Sequence, residues 1–207
     1  MPFDAPPPDP GIEISIATRG MSKGIAQTDG GQLLGKGFLR FGDVQAGLQW
    51  KNVSASTYDG EGSVFVSASR KFGRLQLTGG VARKFATGIH GRTDSASWEF
   101  TCGATRKLGP VFAARVNAVF SPDDLGSARR SLFVEAGPVV QLGQGWTTSA
   151  AIGQRSRQNG VDYTAWNAGI AKLVGPVQLD LRYYDTNRSG AGAFYRGRIV
   201  GTVKLAF

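Results

Sequence analysis

From residue 12 to the last residue the chain is a succession of short segments in which apolar and polar side chains alternate, and nothing constrains its fold more. Ile12, Ile14 and Ile16 oppose Glu13 and Ser15, and Val44, Ala46, Leu48 and Trp50 oppose Gln45, Gln49 and Lys51. Phe112, Ala114, Val116 and Phe120 oppose Arg115 and Asn117, and Val177, Leu179, Leu181 and Tyr183 oppose Gln178, Asp180 and Arg182. A period of two places the two sets on opposite faces of a strand, and a helix cannot sustain it. About twelve such segments follow one another, the last of them residues 196–207. There Phe207, Leu205, Val203 and Ile199 make an apolar row, and Lys204, Thr202, Arg198 and Arg196 a basic one.

The connections have a regularity of their own. Very short ones fall at residues 42–43, 72–74, 108–110, 142–145 and 174–176, and longer polar ones at 19–31, 54–62, 86–95, 121–130, 156–162 and 186–193, in strict alternation. Antiparallel barrels of the outer membrane combine tight periplasmic turns with longer external loops in this way. An even strand number then puts both chain ends on the short-turn side. The expected fold is all-β, an antiparallel transmembrane β-barrel of about twelve strands over residues 11–207, preceded by a proline-rich tail over residues 1–10.

A half-buried soluble sheet also alternates, so other features must separate the two. Trp50, Trp98, Trp146, Phe120 and Tyr183 sit on the apolar row towards strand ends, where aromatic girdles lie in membrane barrels. That row is nearly free of charge at mid-strand. An Arg or Lys on the lipid face near the midplane costs about 2–4 kcal/mol, which fixes the phase of the last strand with Lys204 inward. By parity Arg70, Arg83, Arg106 and Lys172 are exceptions, and all four fall near strand ends, where long side chains snorkel to the headgroups. Pro138 falls inside a paired strand, where it removes a ladder hydrogen bond, and a bulge is expected there.

No run of 18 apolar residues occurs, which excludes an ordinary transmembrane helix and says nothing against a barrel. Thirty glycines and 19% charged residues suit extended structure with many turns. The N-terminal residues lack the basic and apolar regions of a secretory signal. For an outer-membrane location the leader is expected to have been removed or to lie upstream. Cys102 is the single cysteine, so neither an internal disulfide nor a zinc cluster can be built from cysteines.

Several short motifs resemble the TorF family of porins, small outer-membrane barrels of Gram-negative bacteria. They are the opening Ile14-Ser15-Ile16-Ala17-Thr18-Arg19-Gly20-Met21-Ser22, the Leu-Gly-Pro and Val-Gly-Pro turns within residues 107–111 and 173–177, and Asp162-Tyr163-Thr164-Ala165-Trp166-Asn167 with the later Tyr183-Tyr184-Asp185-Thr186. The resemblance covers nearly all of the chain after residue 10. It implies a porin fold and carries no catalytic residue.

Enzymatic signals are weak. Residues 30–37 come within one position of a phosphate-binding loop, but Gly37 stands where Ser or Thr must hold magnesium, and no helical pattern follows. His90, the only histidine, lies in an expected loop and would need a serine and an acid on neighbouring strands to act as a catalytic base. Cys102 falls on the lipid row and is expected to pack. No activity, cofactor or metal is expected.

The formal net charge of +9 fits a nucleic-acid surface, an anionic membrane surface or a basic channel interior, and only position decides. Parity turns Lys36, Arg40, Lys51, Lys84, Arg115, Arg155, Arg182, Arg196, Arg198 and Lys204 towards the lumen or its mouths, with Arg19 and Lys107 beside them. Only Glu13, Glu99, Glu135 and Asp180 oppose them. Aromatics interleaved with the basic residues would mark a nucleic-acid surface, and here they lie on the opposite row. The sequence therefore points to a basic lumen, and to an outer-membrane channel for passive diffusion of small solutes with a weak preference for anions. Inward Gly47, Gly80, Gly103, Gly137 and Gly169 are expected to leave room for a path. The competing readings are a lumen plugged by its own paired side chains, and a non-conducting structural or adhesion barrel working through external loops. Val203, Leu205 and Phe207 match the C-terminal signal that outer-membrane barrels present to the barrel-assembly machinery. The expected partners are that machinery, outer-membrane lipids and small solutes, without nucleic acid.

Overall fold

The computed structural model describes residues 8–125 and 129–207. Twelve long strands hydrogen-bond in an unbroken ring. They are β1 (Asp9–Ala17), β4 (Gln32–Phe41), β5 (Val44–Asn52), β6 (Tyr58–Phe72), β7 (Leu75–Ile89), β8 (Ala96–Lys107), β9 (Phe112–Ser121), β10 (Ser131–Gly143), β11 (Trp146–Arg157), β12 (Tyr163–Val174), β13 (Val177–Thr186) and β14 (Arg198–Ala206). Two further strands, β2 (Met21–Ser22) and β3 (Ile25–Ala26), form a separate miniature hairpin inside the first long connection. Each barrel strand pairs antiparallel with its sequence neighbour, and β14 closes the ring on β1 with Glu13 opposite Ala206 and Ile16 opposite Val203. Phe207 completes the seam: its amide donates to the Ile12 carbonyl at 2.9 Å, and the Ile12 amide donates to the Phe207 carbonyl at 3.1 Å. Closure satisfies every strand edge, which a β structure in lipid requires.

Apolar side chains cover the outside. Leu48, Ile152 and Ile199 are among the most exposed, at 62%, 60% and 67%, an arrangement suited to hydrocarbon. Exposed aromatics form two belts on this surface. Trp50, Trp98, Phe120, Trp166 and Tyr183 stand towards the long-loop end, and Phe41, Phe72, Phe112, Trp146 and Phe207 towards the short-turn end. On β9 the belts are Phe112 and Phe120, about 20 Å apart along the normal of a tilted strand, which matches the apolar band of such barrels. The long cations of the lipid row lie against girdle aromatics: Arg83 over Trp98 at 5.2 Å and Lys172 over Trp146 at 4.8 Å, with the Lys172 ammonium also on the Gln144 carbonyl. Cys102 is exposed on the same surface.

Three local expectations change. Residues 54–62 and 86–95 are not both loops: β6 and β7 run on through Gly60, Gly62 and Gly88 to form the longest hairpin of the barrel, 15 residues per strand. Glycines usually mark turns, but here bulky neighbours cover them, Thr87 and Trp50 at Gly60 and the Phe85 ring at Gly62. At about 3.3 Å per residue these strands exceed the bilayer core and project from the long-loop end. Pro138 causes no bulge. Pairing to β11 lapses at Gly137 and Pro138 and resumes in the same register at Val139 opposite Ser149, while Pro138 stays paired with Ala114 on the other side. The register shift falls instead at Gly143, in the turn. Finally, β1 begins at Asp9, where Asp9 and Pro10 pair with Arg40 and Leu39. The proline-rich tail lies, as far as residue 7, outside the described residues.

Candidate functional site

The inner row of each strand meets in the lumen, and the structure shows which inward side chains find partners. Near the short-turn mouth, Glu13 of β1 lies between Lys204 of β14 at 2.9 Å and Lys36 of β4 at 3.8 Å. Arg40 stands at the mouth itself, half exposed, 3.8 Å from Asp9. Further in, Glu61 of β6 accepts Lys84 at 2.8 Å and Lys51 at 3.4 Å, and Lys84 also approaches Glu99 of β8 at 3.3 Å. On the other wall Arg182 of β13 forks onto Asp180 at 3.1 Å and donates to Ser149 Oγ at 2.9 Å and Asn167 Oδ1 at 2.8 Å. Asn117 donates to Glu135 at 3.3 Å. Ionised groups withdrawn from water are stable only when paired and hydrogen-bonded, and a narrow lumen enforces that pairing.

The first long connection does not stay outside. Its hairpin, β2 and β3, turns at Lys23 and Gly24, both with positive φ (51° and 83°), the two-residue geometry that suits tight hairpins. Lys23 reaches Glu99 on β8 with its ammonium at 2.8 Å from Oε2, and Asp124, in the connection after β9, at 3.8 Å. Around the ring β8 stands five strands from β1 one way and seven the other, so this contact crosses the lumen. Tyr163 of β12, only 1% exposed, donates its hydroxyl to the Lys23 carbonyl at 2.7 Å. A side chain on Gly24 would strike Ala165 of β12. The stem is fastened too: the Gln27 amide donates to the Gly20 carbonyl at 2.8 Å, the Ser54 amide to the Gln27 carbonyl at 2.7 Å, and Lys51 Nζ to Gln27 Oε1 at 2.6 Å. Asp124 holds Arg155 as well and accepts from Ser131 at 3.0 Å. Burial raises the Asp124 pKa, but Lys23 and Arg155 more than offset it and hold the carboxyl below its ordinary 3.8.

Cavities lie on both sides of this hairpin. A space of about 400 Å³ is bounded by its tip together with Arg115, Glu135, Asn167, Arg182 and Tyr184. A second, about 240 Å³, runs beside Ser22 past Lys36, Gln49, Ser63, Phe65 and Thr101. On the outer side a vestibule of about 180 Å³ is lined by Ile25, Ala26, Tyr58, Arg157 and Phe194.

Of the residues expected inward from the sequence, Lys36, Lys51, Lys84, Arg115, Arg155, Arg182, Lys204, Glu13, Glu99, Glu135 and Asp180 are drawn together inside the barrel. Arg196 is not: it precedes β14 and is exposed in the outer loop. Arg198 opens β14 and folds its guanidinium back onto the Ala193 and Arg196 carbonyls at the outer rim. Arg19 likewise bonds the Thr28 carbonyl at 3.3 Å, and Lys107 is exposed at the end of β8. Lys23, Glu61, Asp124 and Tyr163 escaped the sequence reading of the interior, because the first three fell in stretches read as loops. Among the described residues, the eleven expected side chains drawn inside and the three charged ones missed make eight cations and six carboxylates, far from three to one, with Arg157 a further cation in the vestibule. The inward glycines leave little space, since neighbours close over them: Phe38 at Gly47, Thr101 at Gly80, Asn117 at Gly103, Arg182 at Gly169, and the Ala150 carbonyl at Gly137. His90 lies 3.7 Å from Asp59 and 3.2 Å from the Gly88 carbonyl, and residues 30–37 lead into β4, not a helix.

A closed ring of twelve antiparallel strands with an apolar exterior, paired aromatic belts and an ionised interior defines a barrel of the outer-membrane type. Solved structures agree. The chain is similar to the KdgM porin (TM-score 0.64, 9% identity, 95% of this chain and 99% of that one). It is similar too to the NanC porin (0.64, 9%, 95% and 98%), and to an outer-membrane channel from Pseudomonas putida F1 (0.66, 12%, 100% and 98%). No family model and no curated protein matches it by sequence.

Proposed function

We propose that this barrel is a passive outer-membrane channel for small solutes with a weak preference for anions. The carrying observation is the interior, where cavities of about 400 and 240 Å³ are walled by ionised and amide side chains and not by a close-packed apolar core. A barrel that served only as a scaffold would gain stability by filling that space with apolar side chains. The anion preference rests on the excess of two cations over carboxylates inside. It rests above all on Arg115, whose guanidinium faces the larger cavity and makes no ion pair among the described residues. The motifs shared with TorF porins support placing the chain among those proteins, and the exterior belts support insertion in the outer membrane.

Planar-bilayer recording of refolded protein tests the channel: discrete conductance steps are expected, and a silent bilayer sinks it. A reversal potential of anion-selective sign in a salt gradient is expected, and Arg115→Gln is expected to move it towards zero. A cation-selective sign refutes the lumen assignment.

A further inference from the structure

We propose that the β2–β3 hairpin, residues 21–26, is the constriction of this channel and its movable gate, latched by Lys23. The proposal rests on the channel reading above. The hairpin hangs from the long-loop end between β1 and β4, yet its tip touches β8 and β12. Every cavity described along the axis is bounded by it: Ser22 lines the vestibule and both inner spaces, and Lys23 lines the vestibule and the larger one. A solute entering from the vestibule must therefore pass the hairpin. The gap left to it is the space bounded by Arg115, Arg182 and Tyr184, so passage size and charge are decided at one level of the barrel.

The fastening differs from that of the wall. Wall strands are held by continuous backbone ladders, whereas the two-residue strands of the hairpin pair only with each other. The tip is secured by side chains: the Lys23 ammonium on Glu99 and Asp124, and the Tyr163 hydroxyl on the Lys23 carbonyl. These three contacts hold the tip to its surroundings, with no backbone ladder between the tip and the wall. Lys23 is also the one cation of the tip, and its carboxylate partners, Glu99 on β8 and Asp124 in the connection after β9, lie outside the hairpin, so inverting its charge turns attraction into repulsion at both.

Two experiments decide the matter. In single-channel recording, replacement of residues 21–26 by two glycines is expected to raise conductance roughly twofold or more, since the narrowest section limits ion flow. Lys23→Glu is expected to raise it in the same direction with the hairpin intact. Tyr163→Phe, which removes the hydroxyl from the Lys23 carbonyl and adds no charge, is expected to raise the frequency of gating fluctuations at unchanged fold. Equal conductance with and without the hairpin overturns the gate and leaves the channel reading standing. Steps seen only after hairpin removal make the hairpin a fixed plug and overturn both its movement and the resting channel. Silence from both forms overturns gate and channel together, and conductance and fluctuations unchanged in both Lys23→Glu and Tyr163→Phe overturn the latch.

Discussion

Lys84 sits between two carboxylates, Glu61 at 2.8 Å and Glu99 at 3.3 Å, and is itself almost fully buried. Deleting its charge strands both partners, with only Lys51 and Lys23 left to compensate them. Lys84→Met is expected to cost about 3 kcal/mol, the lower end for one broken member of a buried network, read as a lower urea midpoint of the refolded barrel. Asp124 makes the corresponding argument for acid. Its pKa is held below 3.8, so its pairs with Lys23 and Arg155 contribute at all pH values above that and are lost as pH falls through the folded-state pKa. The temperature at which the folded band converts to the unfolded one on a gel is expected to drop as the pH falls below 3.8. Asp124→Asn is expected to lower it at pH 7 already and to shrink the acid-dependent drop.

Among the strands, β5 shows how the lipid phase constrains a position and β14 how closure does. Leu48 faces outward near the middle of β5, 62% exposed. Leu48→Arg places a cation in hydrocarbon and is expected to destabilise the inserted barrel by about 2–4 kcal/mol, whereas the same change at Phe41, in the short-turn belt, is expected to cost about 0–1 kcal/mol. Unfolding titrations in lipid vesicles measure the difference. At the seam, Phe207 bonds Ile12 in both directions, beyond the last ladder pair of β14. Deletion of Phe207 is expected to lower the fraction of chain recovered as folded barrel in outer membranes, while channels that do assemble keep the reversal potential of the full chain.

The whole barrel sets the field that a solute meets. With most interior charges paired, the proposed anion preference would rest on a small surplus and is expected to be weak. Screening decides its range: the Debye length is about 10 Å at 0.1 M salt and about 3 Å at 1 M. The reversal potential at a fixed tenfold gradient is therefore expected to be clearly anionic at low mean ionic strength and to fall towards zero when both chambers are concentrated. A selectivity indifferent to salt would instead locate discrimination in a contact site.

Alternation along the chain was enough to determine strand number, pairing order, the lipid phase and the short and long ends, because in a barrel each side chain's face follows from parity, a strictly local property. Residues within the strands could thus be assigned inward or outward one at a time, and the belts of Trp50, Trp98 and Trp146 with them, whereas Arg196 and Arg198, at the start of the last segment, were assigned to the lumen and lie at the outer rim. Parity has nothing to say of a segment without periodicity. Residues 19–31 contain polar and small residues in no repeating order, and only the closed barrel brings Tyr163, Glu99 and Asp124 within reach of Lys23. Likewise Gly60 and Gly62 signal a turn when neighbours in sequence are considered, and become strand once Trp50 and Phe85 of adjoining strands cover them. What fills the lumen was decided by contacts between residues far apart in the chain, and those exist only after the ring has closed.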